Sequence, residues 1–162
     1  MHSKMTDIVL KLMSANFSSM IGLEFSNKHC SAIIHKNSVI SVGFNKFKTS
    51  QIAFEYGYLH GEYHAELDAL IQVHDKIMDF NKEDLTLINF RLNRFSNVRI
   101  SRPCPKCTRW ANGLFSTFVY TDKDESITIE DVDSGNRELM ISAKELKNSL
   151  GWKEVAQNAK CS

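Results

Sequence analysis

The chain has 162 residues, 43% of them hydrophobic and 24% charged, with 20 Lys and Arg against 19 Asp and Glu for a net charge of +1. That length suits one domain over residues 1–162 with a full core, and so even a charge balance argues against a strong, generally cationic nucleic-acid binder. No apolar run is long enough to span a bilayer, and Met1-His2-Ser3-Lys4-Met5 lacks a signal peptide's apolar core, so a soluble cytoplasmic protein is expected.

Thr6 or Asp7 can cap a first helix in which Val9, Leu12, Met13 and Met20 recur at near-helical spacing, with a stop expected near Gly22. Two runs rich in β-branched residues follow, Cys30 to His35 and Ser38 to Asn45. The short polar break Lys36-Asn37 between them predicts a hairpin. Cys30 reads as core, and Asn45, where the second strand leaves the sheet, reads as a turn former. Residues 46–63 carry Phe54, Tyr56, Tyr58 and His60 without a clear period. A connection this long is expected to be functional, here as a pocket wall or lid offering an aromatic ring for base stacking.

A helix is expected from His64, with Leu67, Leu70, Ile71, His74, Ile77 and Met78 on its core stripe and Asp68 among the polar residues opposite. His74 on that stripe reads as a core histidine. Leu85 to Leu92 reads as a strand, and Pro103 introduces a helix running through Trp110, taken as core, to about Gly113. Phe118 to Thr121 and Ile127 to Ile129 flank a turn too short for a crossover, so they should be antiparallel neighbours. Ser142-Ala143-Lys144-Glu145 matches a capping box for a last helix that Gly151 would end.

Two stretches carry chemistry: His64-Ala65-Glu66 and Pro103-Cys104-Pro105-Lys106-Cys107. Cys104 and Cys107 are spaced to meet on the first turn of a helix, where neighbours at that spacing lie about 5–6 Å apart at Cβ. Adding the imidazole of His64 makes three zinc ligands. Structural zinc is normally closed by four protein ligands, whereas catalytic zinc keeps three and leaves one position open to water. Glu66 is poorly placed to be a second ligand beside His64, but can serve as the carboxylate that moves a proton. A lone H-x-E carries no weight, and a lone C-x-x-C could be a structural half-site, a redox pair or core. Their conjunction is the pattern of zinc-dependent base deaminases. With two cysteines assigned to metal, Cys30 and Cys161 form no disulfide framework, and a reducing compartment is the simpler reading.

His64-Ala65-Glu66, Pro103-Cys104-Pro105-Lys106-Cys107 and the preceding Gly43-Phe44-Asn45 together resemble the cytidine deaminase-like superfamily. The resemblance implies a three-layer α/β/α cytidine deaminase-like fold around a mixed five-stranded sheet. It implies Zn2+ held by His64, Cys104 and Cys107, with Glu66 as the proton shuttle. Asn45 would contact the substrate sugar, and backbone groups at Ala65, Ser101 and Arg102 would read the pyrimidine edge. The approach Ile100-Ser101-Arg102-Pro103-Cys104 departs from the Thr-x-Glu-Pro-Cys run typical of deoxycytidylate and guanine deaminases. The hairpin expected after Thr121 is closer to the cytidine and blasticidin deaminase branch.

The expected substrate is a small nucleoside or nucleotide. Arg91, Arg94, Arg99, Arg102, Lys106 and Arg109 run through the motif region without an acid. That run is either a solvated face or a field drawing in an anion. A polynucleotide editor using Arg91, Arg94 and Arg99 along the backbone, and a non-catalytic zinc domain, are the rival readings. A homo-oligomer is expected by analogy with related deaminases.

Overall fold

The computed structural model describes residues 3–21, 28–59, 61–93 and 98–149. Helix α1 (Ser3–Ile21) leads into strands β1 (Lys28–His35) and β2 (Ser38–Phe44). The short β3 (Lys46–Phe47), α2 (Gln51–Glu55) and β4 (Glu62–Tyr63) precede helix α3 (Ala65–Gln72) and strand β5 (Leu85–Leu92). Helix α4 (Pro105–Ala111), strands β6 (Thr117–Thr121), β7 (Ile127–Asp131) and β8 (Arg137–Ile141), and helix α5 (Ala143–Asn148) complete the order.

The main sheet runs β2-β1-β5-β6-β7-β8. Every pair in it is antiparallel except β5 with β6, which are parallel and joined through α4. A parallel neighbour needs a crossover, and α4 supplies it on one face. Alternation along the strands divides the core in two. Cys30, Ala32, Ile34, Ile88, Phe90 and Val119 pack with α1 and with Leu146 of α5, whereas Ile33, Leu87, Phe118 and Tyr120 pack with α2, α3 and α4. The result is the three-layer α/β/α arrangement expected from the sequence. No helix among the described residues is long and apolar enough to cross a membrane.

The sheet has six strands rather than five. The additional edge strand is β8, whose Arg137, Glu138 and Leu139 are exposed, so its sequence lacks the apolar alternation that marks a half-buried strand. Residues 46–63 are also more ordered than expected, since β3 and β4 pair as a second small sheet around α2. The Lys36-Asn37 hairpin and β5 stand where the sequence places them, with Lys36 at φ 57 turning the chain.

Helix α3 stops at Gln72, shorter than its apolar stripe suggested, and the chain continues through a 3-10 turn at Ile77–Asp79. His74 is therefore exposed, not core, and Met78 is 77% exposed. Asp68 goes the other way. Placed on the polar face by its charge, it is buried, accepting from the Phe44 amide at 3.0 Å and from Lys46 Nζ at 3.0 Å. Trp110 is half-buried rather than core.

Helix α1 begins at Ser3, ahead of the Thr6 or Asp7 cap, and its stop near Gly22 lies outside the described residues. Helix α4 spans less than Pro103 to Gly113, with Cys104 as its N-cap. Helix α5 has the expected cap, Ser142 Oγ accepting from the Glu145 amide, and ends at Asn148; Gly151 and Cys161 lie outside the described residues.

Two buried polar clusters fix the segment that leads into α4. Ser101 Oγ donates to the Asn89 carbonyl at 2.8 Å and accepts from the Thr121 amide at 2.8 Å. Asn89 Nδ2 donates to the Ser101 carbonyl at 3.1 Å, and the Ser101 amide donates to the Thr121 carbonyl at 2.9 Å. Ser101→Ala leaves the Thr121 amide and Asn89 carbonyl short of a partner, so a loss of about 1–3 kcal/mol is expected, read as a lower urea midpoint with an unchanged slope.

The second cluster centres on Glu130, which is 3% exposed. It accepts two hydrogen bonds from Arg102 at 3.0 Å, one from Tyr120 Oη at 2.8 Å, and pairs with Arg137 Nε at 2.9 Å. Burial pushes the Glu130 carboxyl up, but these donors outweigh it and hold the group below its ordinary 4.5. A folded-state value below the unfolded one means stability that is full at neutral pH and lost as pH falls through the folded value. The stability gap between the parent and Glu130→Gln should therefore be widest near neutral pH and close in acid, as measured by urea melts across pH.

Candidate active site

The two chemical stretches meet at one end of the sheet. Glu62 and Tyr63 of β4 deliver His64 as the N-cap of α3, while the bonded Ser101 segment and Pro103 deliver Cys104 as the N-cap of α4. His64 Nδ1 lies 3.5 Å from Cys104 Sγ and 3.4 Å from Cys107 Sγ. Tetrahedral zinc with bonds of about 2.0–2.3 Å keeps neighbouring donors about 3.3–3.8 Å apart. The three atoms thus fit that ion, with one imidazole and two sulfurs as the donor set. Among the described residues the cluster holds these three donors and no fourth.

The electrostatics suit metal uptake. A hydrogen bond from Cys107 holds the Cys104 thiol down at about 3 against the opposing effect of burial, with His64 adding to the fall. The hydrogen bond to Cys104, together with burial, pushes Cys107 far up. Of the two sulfurs Cys104 is the one favoured to ionise, and a metal would take both as thiolates. Burial lowers His64, but the Cys104 hydrogen bond and the Glu66 charge outweigh it and leave the imidazole above its usual range. Its other nitrogen, Nε2, faces Glu62 Oε1 at 3.8 Å, and Glu62 is held by Lys106 Nζ at 2.7 Å. A carboxylate behind a ligating imidazole is a common means of orienting it.

Glu66 is 4% exposed. Burial raises its pKa, partly offset by hydrogen bonds from its own amide and from Cys107. A carboxyl so placed holds a proton more readily than one in water.

A cavity of about 340 Å³ opens onto this group, with His64, Ala65, Glu66 and Cys104 among the lining residues. Asn45, Ser101 and Arg102 also line it, so all four residues expected to touch substrate border one cavity. Asn45 Oδ1 accepts from the His29 amide at 2.9 Å, which pins it at the rim. The Ser101 amide and carbonyl are engaged with Thr121 and Asn89, and the Arg102 guanidinium is turned to Glu130. Cys107 is fully buried and is not among the lining residues.

Scanned against protein-family models the sequence matches none, and no curated protein matches it. Solved structures do. Cytidine deaminase from Burkholderia pseudomallei superposes with a TM-score of 0.51 at 13% identity, over 78% of this chain and 92% of that one. This chain has the cytidine deaminase fold. A point variant of cytidine deaminase from Mycobacterium tuberculosis is also similar, with a TM-score of 0.41 at 13% identity over 67% of this chain and 81% of that one.

On this cytidine deaminase fold one lining residue, His29, carried no sequence signal, whereas Arg91 stood in the basic run and Ile100 in the approach to Cys104. His29, Arg91 and Ile100 complete the cavity wall. His29 and Arg91 are register partners on β1 and β5, a relation set by strand pairing that no local motif encodes. Burial and the Arg91 charge lower His29 to about 4, so its imidazole is neutral at pH 7. No described residue of the expected lid, 46–63, lines the cavity. His60 lies outside the described residues. Tyr58 instead packs behind the ligands, its ring 4.8 Å from that of His64.

Proposed function

We propose that this protein is a zinc-dependent hydrolytic deaminase that converts a cytosine base to uracil, in a cytidine or deoxycytidine nucleoside or nucleotide such as dCMP. The observation that carries the reading is a three-donor metal cluster with a buried carboxylate beside it, opening onto one cavity. Zinc bound by His64 Nδ1 and the sulfurs of Cys104 and Cys107 would make water nucleophilic at neutral pH. Glu66 takes the proton from the attacking water and passes it to the ring nitrogen next to the reacting carbon. It then carries a second proton to the exocyclic amine, which leaves as ammonia while the ring keeps the oxygen. Asn45 at the rim is assigned to the sugar, and the backbone about Ala65 and Arg102, with the second lone pair of the Ser101 carbonyl, to the pyrimidine edge.

A small substrate suits the charge placement better than a polynucleotide. Several cations of the basic run are matched by acids brought from elsewhere in the chain. Arg102 is bonded to Glu130, Lys106 to Glu62, and Arg99 lies 4.0 Å from Glu125. Arg91 faces the cavity, and Arg94 lies outside the described residues. A track of backbone-binding cations needs charges that are not already paired with acids of the same chain.

Ammonia release should be measured with zinc-loaded protein on cytidine, deoxycytidine, their monophosphates and cytosine-bearing single strands. The proposal predicts turnover of the monomers with uracil as the product base. Turnover of single strands alone, with binding that weakens steeply as salt rises, would overturn the small-substrate assignment.

A further inference from the structure

We infer that Tyr58 is a positioning residue for the metal centre, its phenol donating a hydrogen bond to Cys107 Sγ in a direction set by Trp110. The inference rests on the zinc reading of His64, Cys104 and Cys107. Tyr58 is 2% exposed, so its hydroxyl must find partners within the protein. Two are in place: Trp110 Nε1 donates to Tyr58 Oη at 2.9 Å, and Oη lies 2.8 Å from Cys107 Sγ.

Those contacts alone do not say which of oxygen and sulfur gives the proton, but chemistry does. An indole nitrogen can only donate, so Trp110 fills an acceptor site on Oη and leaves the phenolic hydrogen to be placed elsewhere. A sulfur that holds a metal has no proton to give. The remaining arrangement is a one-way relay from Trp110 through Tyr58 to the Cys107 sulfur.

Such a bond withdraws electron density from the thiolate, leaving the metal more electron-poor, and it makes a thiolate less costly to form at the buried Cys107 sulfur. The tyrosine ring also packs against the imidazole of His64, so one side chain steadies two of the three donors. No sequence spacing announces this, because Tyr58 lies in an aperiodic stretch and reaches Cys107 across the fold.

The test is cobalt(II) loaded in place of zinc, read by its thiolate-to-metal charge-transfer band, with zinc affinity measured against a chelator. Tyr58→Phe should move the band to longer wavelength, because the sulfur lone pair rises in energy, and should weaken zinc binding about 10–100-fold. Trp110→Phe should move the band the same way by less, and it serves as the readout should Tyr58→Phe fail to fold. A folded Tyr58→Phe or Trp110→Phe protein with the parental band and parental zinc affinity overturns the inference while leaving the zinc reading intact. Absence of any thiolate band in the parent protein overturns both.

Discussion

Glu66→Gln is expected to leave zinc content and melting temperature at the parental level while slowing ammonia release by about 10²–10⁴-fold. The substitution keeps the shape of a side chain that is 4% exposed, so the packing around it is preserved. What it removes is the ability to take up a proton. The reaction needs protons moved from water to the ring and then to the leaving nitrogen, and among the cavity's side chains Glu66 is the carboxylate beside the metal cluster. His29, lowered to about 4 by burial and the Arg91 charge, is too weak a base near neutral pH to offer a ready replacement. Metal analysis and single-turnover ammonia release on the same preparation make the check. Loss of metal along with activity would assign Glu66 to the ligand shell instead.

The largest effect on the fold is expected at Gly43. A Cβ there would meet the Ala69 amide nitrogen, the Ala65 carbonyl oxygen at 2.6 Å and the Asp68 carbonyl carbon at 2.9 Å. All three are backbone atoms of α3, which cannot turn aside as a side chain would. Overpacking a core against movable side chains costs about 1–3 kcal/mol, so Gly43→Ala should cost about 3 kcal/mol or more. For a chain of this size that corresponds to a fall of about 6–12 °C in Tm. Displacing α3 also shifts His64 and Glu66, which stand at its start, and the Asp68 hydrogen bond to the Phe44 amide. Weakened zinc binding should therefore accompany the lower Tm. Gly135→Ala is a useful contrast: nothing lies within 4 Å of its added Cβ, and φ +75 leaves backbone strain of about 1–2 kcal/mol as its cost.

The strands that were legible are those whose burial writes itself into composition. In β5 all but one residue is buried, and five of the eight residues from Leu85 to Leu92 are Leu, Ile or Phe. The Lys36-Asn37 break falls between the buried run of β1 and the β-branched run of β2, which is only partly buried. Edge strand β8 escaped notice because exposure removes the alternation that would mark it. The ligand trio was legible for a different reason, since metal chemistry restricts residue type and spacing. Asn45 was read locally as a turn former, and its amide oxygen does accept the His29 amide at the strand end. The superfamily resemblance added a place beside substrate, and Asn45 lines the cavity.

What stayed hidden depends on contacts between distant segments. Asp68 carries a charge and so was placed toward solvent, yet it is turned inward to hold the end of β2. His74 continues the apolar spacing of α3, but the helix has ended before it. The basic run looked unopposed because Glu62, Glu125 and Glu130 come to it through the fold. Register partners such as His29 and Arg91 belong to the same class.

X-ray absorption at the zinc edge of the loaded protein tests the central claim most directly. One imidazole nitrogen, two sulfurs and one light atom from solvent, the last replaced when a tight-binding cytosine analogue is added, is the predicted shell. Four protein donors, or a shell that the analogue leaves untouched, would contradict it.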